Sequence, residues 1–262
     1  MAWVLLLAQR KGGSGKTSLA VNLAGVAASE GLSVALVDCD CQASASRWAI
    51  GRETVDRLSR EETVAALAGR LAPMQVGAAG PLAEAFRRCA HDVRSCPEIV
   101  VVPSAPHCRL DDVHELTLRE LPVDVVIVDS PPDVGAPVVR AAIREADAVL
   151  APIVPECWGL EAAPEIVGAL HDAKRHDLAH SIRFVVNLRQ RRALHDAIET
   201  VLRHQFGELV SSIVIPNAAQ VSESAARGAP LSKFAPKSAP AKLVASVWAE
   251  LDSQRRAAKA AA

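Results

Sequence analysis

Short runs of apolar, largely β-branched residues alternate along this chain with stretches that have helical periodicity. The apolar runs lie at residues 4–8, 34–38, 99–103, 123–129, 148–153, 183–187 and 212–215. The helical stretches between them include residues 16–30, 138–145 and 160–175. Two of the runs, SVALVD and VVIVDS, are apolar nearly throughout, as in strands that are buried on both faces of a parallel sheet. The alternation predicts an α/β fold with a mostly parallel, twisted sheet and helices on both faces.

The remaining segments are interpreted from composition and periodicity. Residues 51–96 are predicted to form helices with a Gly/Ala loop near residues 77–81. Residues 227–240 are rich in Pro, Ser, Lys and Ala, which predicts a surface loop. An apolar stripe predicts a last helix, from about residue 241, that docks onto the core. No repeat or low-complexity linker divides the chain, so we predict one domain of residues 1–262.

The composition excludes several classes of protein. Only 3% of the 262 residues are aromatic, which argues against a reader of single-stranded nucleic acid, because such proteins need stacking platforms. The six cysteines are too sparse for a disulfide scaffold, and no apolar stretch reaches 18 residues, so we expect a cytoplasmic protein without a membrane-spanning helix. The net charge is -1, but residues 173–262 carry +7 and residues 1–172 carry -8. This asymmetry favours an anionic partner for the C-terminal third.

A loop rich in glycine and lysine follows the first predicted strand directly and precedes a predicted helix. Its residues are Lys11, Gly12, Gly13, Ser14, Gly15, Lys16, Thr17 and Ser18. The glycines let backbone N–H groups point at phosphates at the positive end of the helix, where Lys16 neutralises charge and the Thr17 hydroxyl binds Mg²⁺. Arg10 fills the first slot of the usual G-x-x-x-x-G-K pattern, so the match is to the variant K-G-G-x-G-K-[ST]. A plain glycine turn is the alternative, but the strand–loop–helix setting predicts a P-loop NTPase-like fold that binds ATP from Gly12 to Ser18.

Three further segments complete a recognisable set of motifs. The first segment, VDCDCQ, contains Asp40, Cys41 and Gln42. The second, VVIVDSPP, places Asp129 at the end of a predicted strand. The third, VIPN at residues 214–217, is followed by a predicted helix that contains Glu223 and then by Gly-Ala-Pro. Together with the phosphate loop, these segments resemble the deviant Walker A ATPases of the ParA/MinD type, in the same order and over residues 4–231. Cys41 stands where that family usually has proline.

The resemblance implies a mechanism in which two subunits enclose two ATP molecules. Lys11 corresponds to the signature lysine that reaches the partner's nucleotide, and it is a candidate catalytic residue together with Lys16 and Asp40. Asp40 would position the attacking water, and Mg²⁺ would be held by Thr17, Asp40 and Asp129. Asp38 is open to two interpretations, since it either caps its strand or supports the loop that follows.

The resemblance also suggests an adenine site. Asn187 ends a predicted strand where family members use asparagine to read the base, and Pro216 and Asn217 would add backbone contacts. A strand-end asparagine with a purely structural hydrogen bond is the alternative.

The function that this resemblance implies is that of a ParA-like partition or positioning ATPase. Its ATP-bound homodimer would bind double-stranded DNA without sequence preference, on the nucleoid, and a ParB-like or other cargo adaptor would stimulate hydrolysis and release. The candidate DNA contacts are Arg189, Arg191, Arg192, Arg227, Lys233, Lys237 and Lys242. The alternatives are a MinD-like membrane-associated ATPase, which the weakly apolar C-terminal tail disfavours, and an ATP-dependent metabolic synthetase on the same fold.

Overall fold

The structure, a computed structural model, describes residues 1–67, 81–93 and 95–261. The strands of this described part are β1 (Trp3–Leu7), β2 (Val34–Asp38), β3 (His91–Asp92), β4 (Ile99–Val102), β5 (Val125–Asp129), β6 (Ala148–Ile153), β7 (Arg183–Arg189) and β8 (Val210–Pro216). They form one sheet in the order β3-β4-β2-β5-β1-β6-β7-β8. Every neighbouring pair is parallel except β3 and β4, which are antiparallel. The predicted α/β fold with a mostly parallel sheet is confirmed.

Helices connect the strands and cover both faces of the sheet. The α-helices of the described part are α1 (Lys16–Ser29), α2 (Ser44–Ile50), α3 (Arg52–Val55), α4 (Pro81–Cys89), α5 (Pro137–Glu145), α6 (Cys157–Asp172), α7 (His176–Ser181), α8 (Ala193–Phe206), α9 (Ala219–Ala226), α10 (Leu231–Phe234) and α11 (Ala239–Ala261). Short 3₁₀ turns lie at Arg60–Glu62, Val64–Leu67 and Gly207–Leu209. The loop that the sequence predicts near residues 77–81 lies almost entirely outside the described residues.

The two faces of the sheet bury separate apolar clusters. Along β1, Leu5 and Leu7 belong to the cluster that packs against α1 and α11, whereas Val4 and Leu6 belong to the cluster beneath α5 and α6. Successive side chains of a strand point to opposite faces, so a strand covered on both sides must be apolar at every position. This is why the continuous apolar runs predicted the strands well: β2 and β6 have the predicted bounds.

The sequence-based interpretation was wrong for part of residues 227–240. A surface loop was predicted, but α10 lies within this segment and Leu231 is buried. The Leu231 backbone N–H donates to the side-chain oxygen of Asn22 in α1 at 2.6 Å. Pro230 packs so closely on Gly25 that a Cβ there would lie 2.4 Å from the proline Cβ. The polar composition gave no indication of these two contacts, which hold the segment against α1.

The last helix docks onto the core, as predicted, and begins at Ala239. Trp248 is completely buried and its indole N–H donates to Glu30 at 3.1 Å. Its ring meets Trp3 edge to face, with the centroids 6.4 Å apart. Within the described residues, every helix is too short or too polar to traverse a bilayer.

We predict that Trp248→Ala destabilises the protein by about 3–5 kcal/mol, because it removes a large buried ring and leaves a cavity. The free energy of unfolding, measured by urea denaturation, tests this. Ser246→Ala, at an exposed position of the same helix, is the control and should stay within about 0.5 kcal/mol of the wild type. A loss below about 1 kcal/mol in Trp248→Ala would show that α11 is not part of the cooperative core.

Candidate functional site

The phosphate loop lies between the end of β1 and the start of α1, at the carboxyl edge of the parallel strands. Gly13 and Gly15 adopt φ values of +78° and +82°, a left-handed conformation that favours glycine. At Gly15 there is also no space for a side chain, because a Cβ would lie 2.4 Å from Nδ2 of Asn187. The glycines predicted from sequence are therefore required both by the backbone conformation and by the close approach of β7.

Lys16 is the buried cation of this loop. Its ammonium donates to the backbone oxygen of Gln9 at 3.1 Å, and the side chain is nearly inaccessible. Burial lowers the pKa of Lys16, whereas the nearby charges of Asp129 and Asp40 act in the opposite direction. Gln9 is itself fixed, because its side-chain amide donates to the backbone oxygen of Pro152 at 2.9 Å. The ammonium is thus held at the first turn of α1, where anions are favoured.

Lys11 and its neighbour Arg10 differ from Lys16 in their surroundings. Lys11 is exposed, and no ion pair to it is formed by the residues that the structure describes. Arg10, in the first slot of the loop, pairs with Glu165 of α6. One lysine of the motif therefore points to solvent while the other is buried beneath the loop.

Two carboxylates end adjacent strands next to Lys16. Asp38 of β2 and Asp129 of β5 are register partners, and both are completely buried. Neither oxygen of Asp129 has a hydrogen-bond partner of good geometry among the described residues. Burial raises the pKa of Asp129 to about 8, and the charge of Asp38 adds to the rise, while the Thr17 hydroxyl and Lys16 oppose it. Asp129 therefore has free acceptor atoms in a site that penalises its charge.

Asp38 is occupied by the loop that follows it. One of its oxygens accepts from the Asp40 backbone N–H at 3.0 Å. The other accepts from both the backbone N–H and the hydroxyl of Ser46, at 2.8 and 2.6 Å. Burial raises the pKa of Asp38 to about 6, although the bonds from Ser46 favour the charged form. Of the two interpretations open from the sequence, these contacts favour support of the loop.

Asp40 lies in that loop and is half-buried. Its side chain accepts from the Gln42 backbone N–H at 2.9 Å, and its backbone oxygen accepts from Ala43 N–H at 2.8 Å. Cys41, in the usual proline position, directs its thiol to the backbone oxygen of Cys108 at 3.8 Å. The loop therefore presents the Asp40 carboxylate beside Lys16 without burying it.

The arrangement fits a hydrated Mg²⁺. Hard oxygen donors suit this ion, which keeps several waters and binds through one or two carboxylates together with nucleotide phosphates. The unpartnered oxygens of Asp129 and the Thr17 hydroxyl are donors of this kind. In the described residues, no cluster of three or more His, Cys, Asp or Glu could hold a metal unaided. The oxygens of Asp129 and the Thr17 hydroxyl are the donors that fit Mg²⁺ bound together with nucleotide phosphates.

The three candidate adenine residues are only partly brought together. Asn187 and Pro216 line one small cavity with Gly15 and Ser18 of the phosphate loop. Asn217 is exposed and outside this cavity, and its backbone N–H donates to the oxygen of Arg189 at 3.0 Å. Asn187 is buried, and its side-chain amide donates to the backbone oxygen of Ser14 at 2.8 Å. This bond was the structural alternative considered from the sequence.

The candidate DNA contacts do not lie in one groove. Arg189, the last residue of β7, and Arg191, in the loop that follows, line a groove that Leu243, the neighbour of Lys242, also lines. Arg227 stacks on Phe234, with its guanidinium 5.6 Å from the ring centroid, and lines a different cavity. The other four side chains, all exposed, are those of Arg192, Lys233, Lys237 and Lys242.

Lys233 lies near the opposite edge of the sheet. It contributes to lowering the pKa of Glu98, after the larger effects of hydrogen bonds from the Glu98 backbone and from Cys96. Glu98 immediately precedes β4, so it lies at the amino edge of the parallel strands, away from the phosphate loop.

Sequence reasoning missed three residues that shape the site. Gln9 fixes the start of the phosphate loop, Ser46 holds Asp38, and Glu165 holds Arg10. Glu165 is 155 positions from Arg10, and no local pattern connects the two. Ser46 had a weak signal, since it lies in the short segment after the VDCDCQ motif.

The fold and this site define a P-loop nucleotide-binding protein. Residues 5–231 match the family described as the CobQ/CobB/MinD/ParA nucleotide binding domain. The chain belongs to this family, which confirms the resemblance seen in the sequence.

Within this family, the chain is similar to proteins of chromosome partitioning. The chain is 30% identical over 244 residues to the chromosome-partitioning ATPase Soj of Thermus thermophilus, covering 89% of each chain. It is 30% identical over 234 residues to the chromosome partitioning protein ParA of Caulobacter vibrioides, covering 87% of this chain and 85% of that one. The protein is therefore an ATPase of the ParA/Soj/MinD type.

Solved structures agree on the fold. The septum site-determining protein MinD from Pyrococcus horikoshii, complexed with Mg-ADP, superposes with a TM-score of 0.69 and 19% identity. The match covers 96% of each chain. At this identity the similarity establishes the common P-loop fold.

We predict that Asp129→Asn stabilises the nucleotide-free protein, and more so at high pH. The pKa of Asp129 is raised to about 8 by burial, so the folded protein keeps a proton that the unfolded chain has lost. The wild type is accordingly penalised progressively as the pH rises from about 4 to about 8, and the neutral amide avoids this penalty.

Urea denaturation in EDTA at pH 5 and pH 8.5 tests this prediction. The advantage of Asp129→Asn in unfolding free energy should grow by about 4 kcal/mol between the two pH values, because nearly three pH units of the window between the two pKa values are crossed. Asp172→Asn, an exposed carboxylate on α6, should show the same difference from wild type at both. A pH-independent effect of Asp129→Asn would contradict the raised pKa.

Proposed function

We propose that this protein is a ParA-like partition or positioning ATPase. Its ATP-bound form is a homodimer that binds double-stranded DNA without sequence preference. A cargo-bound partner protein stimulates hydrolysis and so releases the dimer from DNA. Because the relatives at 30% identity are chromosome-partitioning ATPases, this function is favoured over others on the same fold.

The observation that carries the proposal is the contrast between the two lysines of the phosphate loop. Lys16 is buried beside the carboxylates, whereas Lys11 is exposed. An exposed cation beside a phosphate site is suited to the nucleotide of a second subunit, since it reduces the repulsion between two bound ATP molecules. It also opposes the negative charge that develops during phosphoryl transfer.

The other site residues receive roles that follow from their positions. Residues Gly12 to Ser18 hold the phosphates, with Lys16 as the cation in the same subunit. Mg²⁺, held by Thr17 with Asp40 and Asp129, neutralises phosphate charge when the nucleotide is bound. Asp40 is the half-exposed carboxylate and orients the attacking water. Asn187 and Pro216, in the cavity beside Gly15, contact the adenine, with Asn217 at its margin.

DNA binding is assigned to the basic C-terminal third, and first to the loop that follows β7. Arg191 and Arg192 are exposed neighbours, and no ion pair involves them among the described residues. A dimer presents two such loops to one duplex, so nucleotide-dependent dimerisation raises the affinity for DNA. Arg227 and Lys233, in other parts of the surface, are weaker candidates.

The alternative of a membrane-associated ATPase finds less support in α11. The apolar side of this helix is used for docking, since Val244, Val247, Trp248 and Leu251 are buried. In its later turns Arg255 and Arg256 both pair with Asp252. In the described part of α11, the apolar side chains therefore pack on the core and are not available to a bilayer. Two experiments distinguish the proposed function from that of a metabolic synthetase: the test of ATP-dependent DNA binding and the test of dimerisation in Lys11→Ala.

Lys11→Ala should still bind ATP as a monomer but fail to form the ATP-dependent dimer, because the lysine acts across the interface. Loss of a charge pair at such an interface weakens association by about 2 kcal/mol or more. Light scattering with ATP and Mg²⁺ measures this. Lys16→Ala is the reference and should lose ATP binding altogether. Normal dimerisation and hydrolysis by Lys11→Ala would reduce Lys11 to a loop residue.

Asp40→Ala should bind ATP and dimerise but hydrolyse ATP at least about 100-fold more slowly, the scale of a lost general base. A phosphate-release assay measures turnover, and binding of a fluorescent ATP analogue controls for nucleotide affinity. Asp133→Ala, an exposed carboxylate after β5, should retain wild-type turnover. An unchanged rate in Asp40→Ala would assign the attacking water to another residue.

Arg191→Ala/Arg192→Ala should weaken ATP-dependent DNA binding equally on unrelated sequences. Each lost phosphate contact flattens the plot of log affinity against log salt by about 1, so the loss of two arginines from each of the two subunits should flatten it by about 4. Gel-shift titrations over a range of salt measure the slope. Arg87→Ala/Arg88→Ala removes a similar exposed pair from α4 and should leave the slope unchanged. Absence of ATP-dependent DNA binding in the wild type would remove the proposed function.

A further inference from the structure

The phosphate loop and the basic loop at the end of β7 (residues 188–192) are joined by one buried side chain. Asn187 donates from its side-chain amide to the backbone oxygen of Ser14 at 2.8 Å, across 173 positions of sequence. The same nitrogen lies 2.4 Å from the position that a Cβ at Gly15 would take. A displacement of the phosphate loop at Ser14 or Gly15 would therefore displace the side chain of Asn187, which is 5% exposed.

The last residues of β7 are irregular, because the pairing with β8 shifts in register between Val186 and Arg189. Leu188 has a φ of +55°, a left-handed conformation that is costly for a branched residue. A strained residue of this kind persists only when its neighbours fix it on both sides. Here Asn187 is fixed by the phosphate loop on one side, and the basic loop follows on the other.

The basic loop, which comprises the last two residues of β7 and the turn that follows (residues 188–192), is itself held as a unit. The Arg189 backbone oxygen accepts from Asn217 N–H at 3.0 Å, and its guanidinium pairs with Asp196. The Gln190 backbone N–H donates to Nδ1 of His195 at 3.1 Å, which leaves Nε2 protonated and able to donate to Glu156 at 3.2 Å. With its backbone fixed in this way, the loop moves with the end of β7 rather than independently of it.

We propose that Asn187 couples the phosphate loop to the basic loop, so that nucleotide binding sets the position of Arg191 and Arg192. This inference rests on the proposed function, because it gives the DNA-binding arginines their dependence on nucleotide. It assigns Asn187 a positioning role in addition to any contact with adenine. One hydrogen of its amide is donated to Ser14, and no described residue donates to its side-chain oxygen, which can therefore accept from a base.

The first experiment compares DNA affinity at saturating concentrations of a non-hydrolysable ATP analogue, so that lost nucleotide affinity does not contribute. Asn187→Ala should bind a DNA duplex about tenfold more weakly than wild type, within the range for residues that carry coupling between sites. Asn187→Asp, which keeps the shape but cannot donate, should show the same loss. Binding of DNA without nucleotide should equal that of the wild type.

Ser211→Ala is the matched control. Ser211 is also a buried, hydrogen-bonded side chain, on the neighbouring strand β8, but it bonds locally to Ile213 N–H and not to either loop. Its removal should lower stability without lowering DNA affinity. If Ser211→Ala weakens DNA binding as much as Asn187→Ala does, the effect is general destabilisation and the coupling role is wrong.

Base recognition is the competing role. If Asn187→Ala only weakens nucleotide binding or lowers the preference for ATP over GTP, and binds DNA normally at saturating analogue, Asn187 reads the base and does not couple the loops. This outcome overturns the inference while leaving the proposed function intact.

Hydrogen exchange tests the coupling without DNA. Adding the analogue to wild-type protein should change the exchange rate of amides in residues 188–192, including Gln190, and this change should be lost in Asn187→Ala. No change in the wild type overturns the inference. If the loop responds in the wild type but DNA binding does not depend on nucleotide, the coupling holds and the proposed function fails.

Discussion

Two buried carboxylates and a buried ammonium share the carboxyl edge of the sheet, and the site depends on how their charges are satisfied. The parallel register places Asp38 and Asp129 side by side, with Lys16 beside them. Burial of unpaired charge is costly, so each group needs compensation. Asp38 obtains it from Ser46 and the loop backbone, whereas among the described residues neither oxygen of Asp129 has a hydrogen-bond partner of good geometry. The two carboxylates therefore differ in how far the surrounding residues satisfy them, although both end adjacent strands.

Charge also distinguishes the loops around this edge. The phosphate loop gathers positive potential from Lys16 and from the start of α1, while Lys11 extends from it into solvent. Side chains from distant elements fix its ends: Gln9 bonds to β6, Arg10 pairs with α6, and Asn187 bonds to Ser14. A rigid scaffold of this kind holds binding groups in place before the ligand arrives, which reduces the ordering cost of binding.

The fold was largely predictable because a sheet covered on both faces leaves continuous apolar runs in the sequence. The bounds of β2 and β6 agree with the prediction to the residue. β5 begins two residues later than predicted, and β7 ends two residues later than predicted. The two-residue β3 gave no signal, since it is too short to show a pattern. The prediction of a surface loop at residues 227–240 was wrong because their composition is polar, as in a loop, whereas in the structure Asn22 holds Leu231 against α1.

The sequence by itself determined the phosphate loop, because glycine conformation and the lysine spacing are local properties of residues 11–18. Its motifs also showed that Asp38 and Asp129 end strands, and they indicated the family. Only the tertiary structure decided which carboxylate is satisfied, since that depends on Ser46 meeting Asp38. It likewise decided that Asn187 contacts Ser14 and that Arg191 is separated from Lys233. These contacts join residues far apart in the chain, and their partners are set by how the strands are ordered in the sheet.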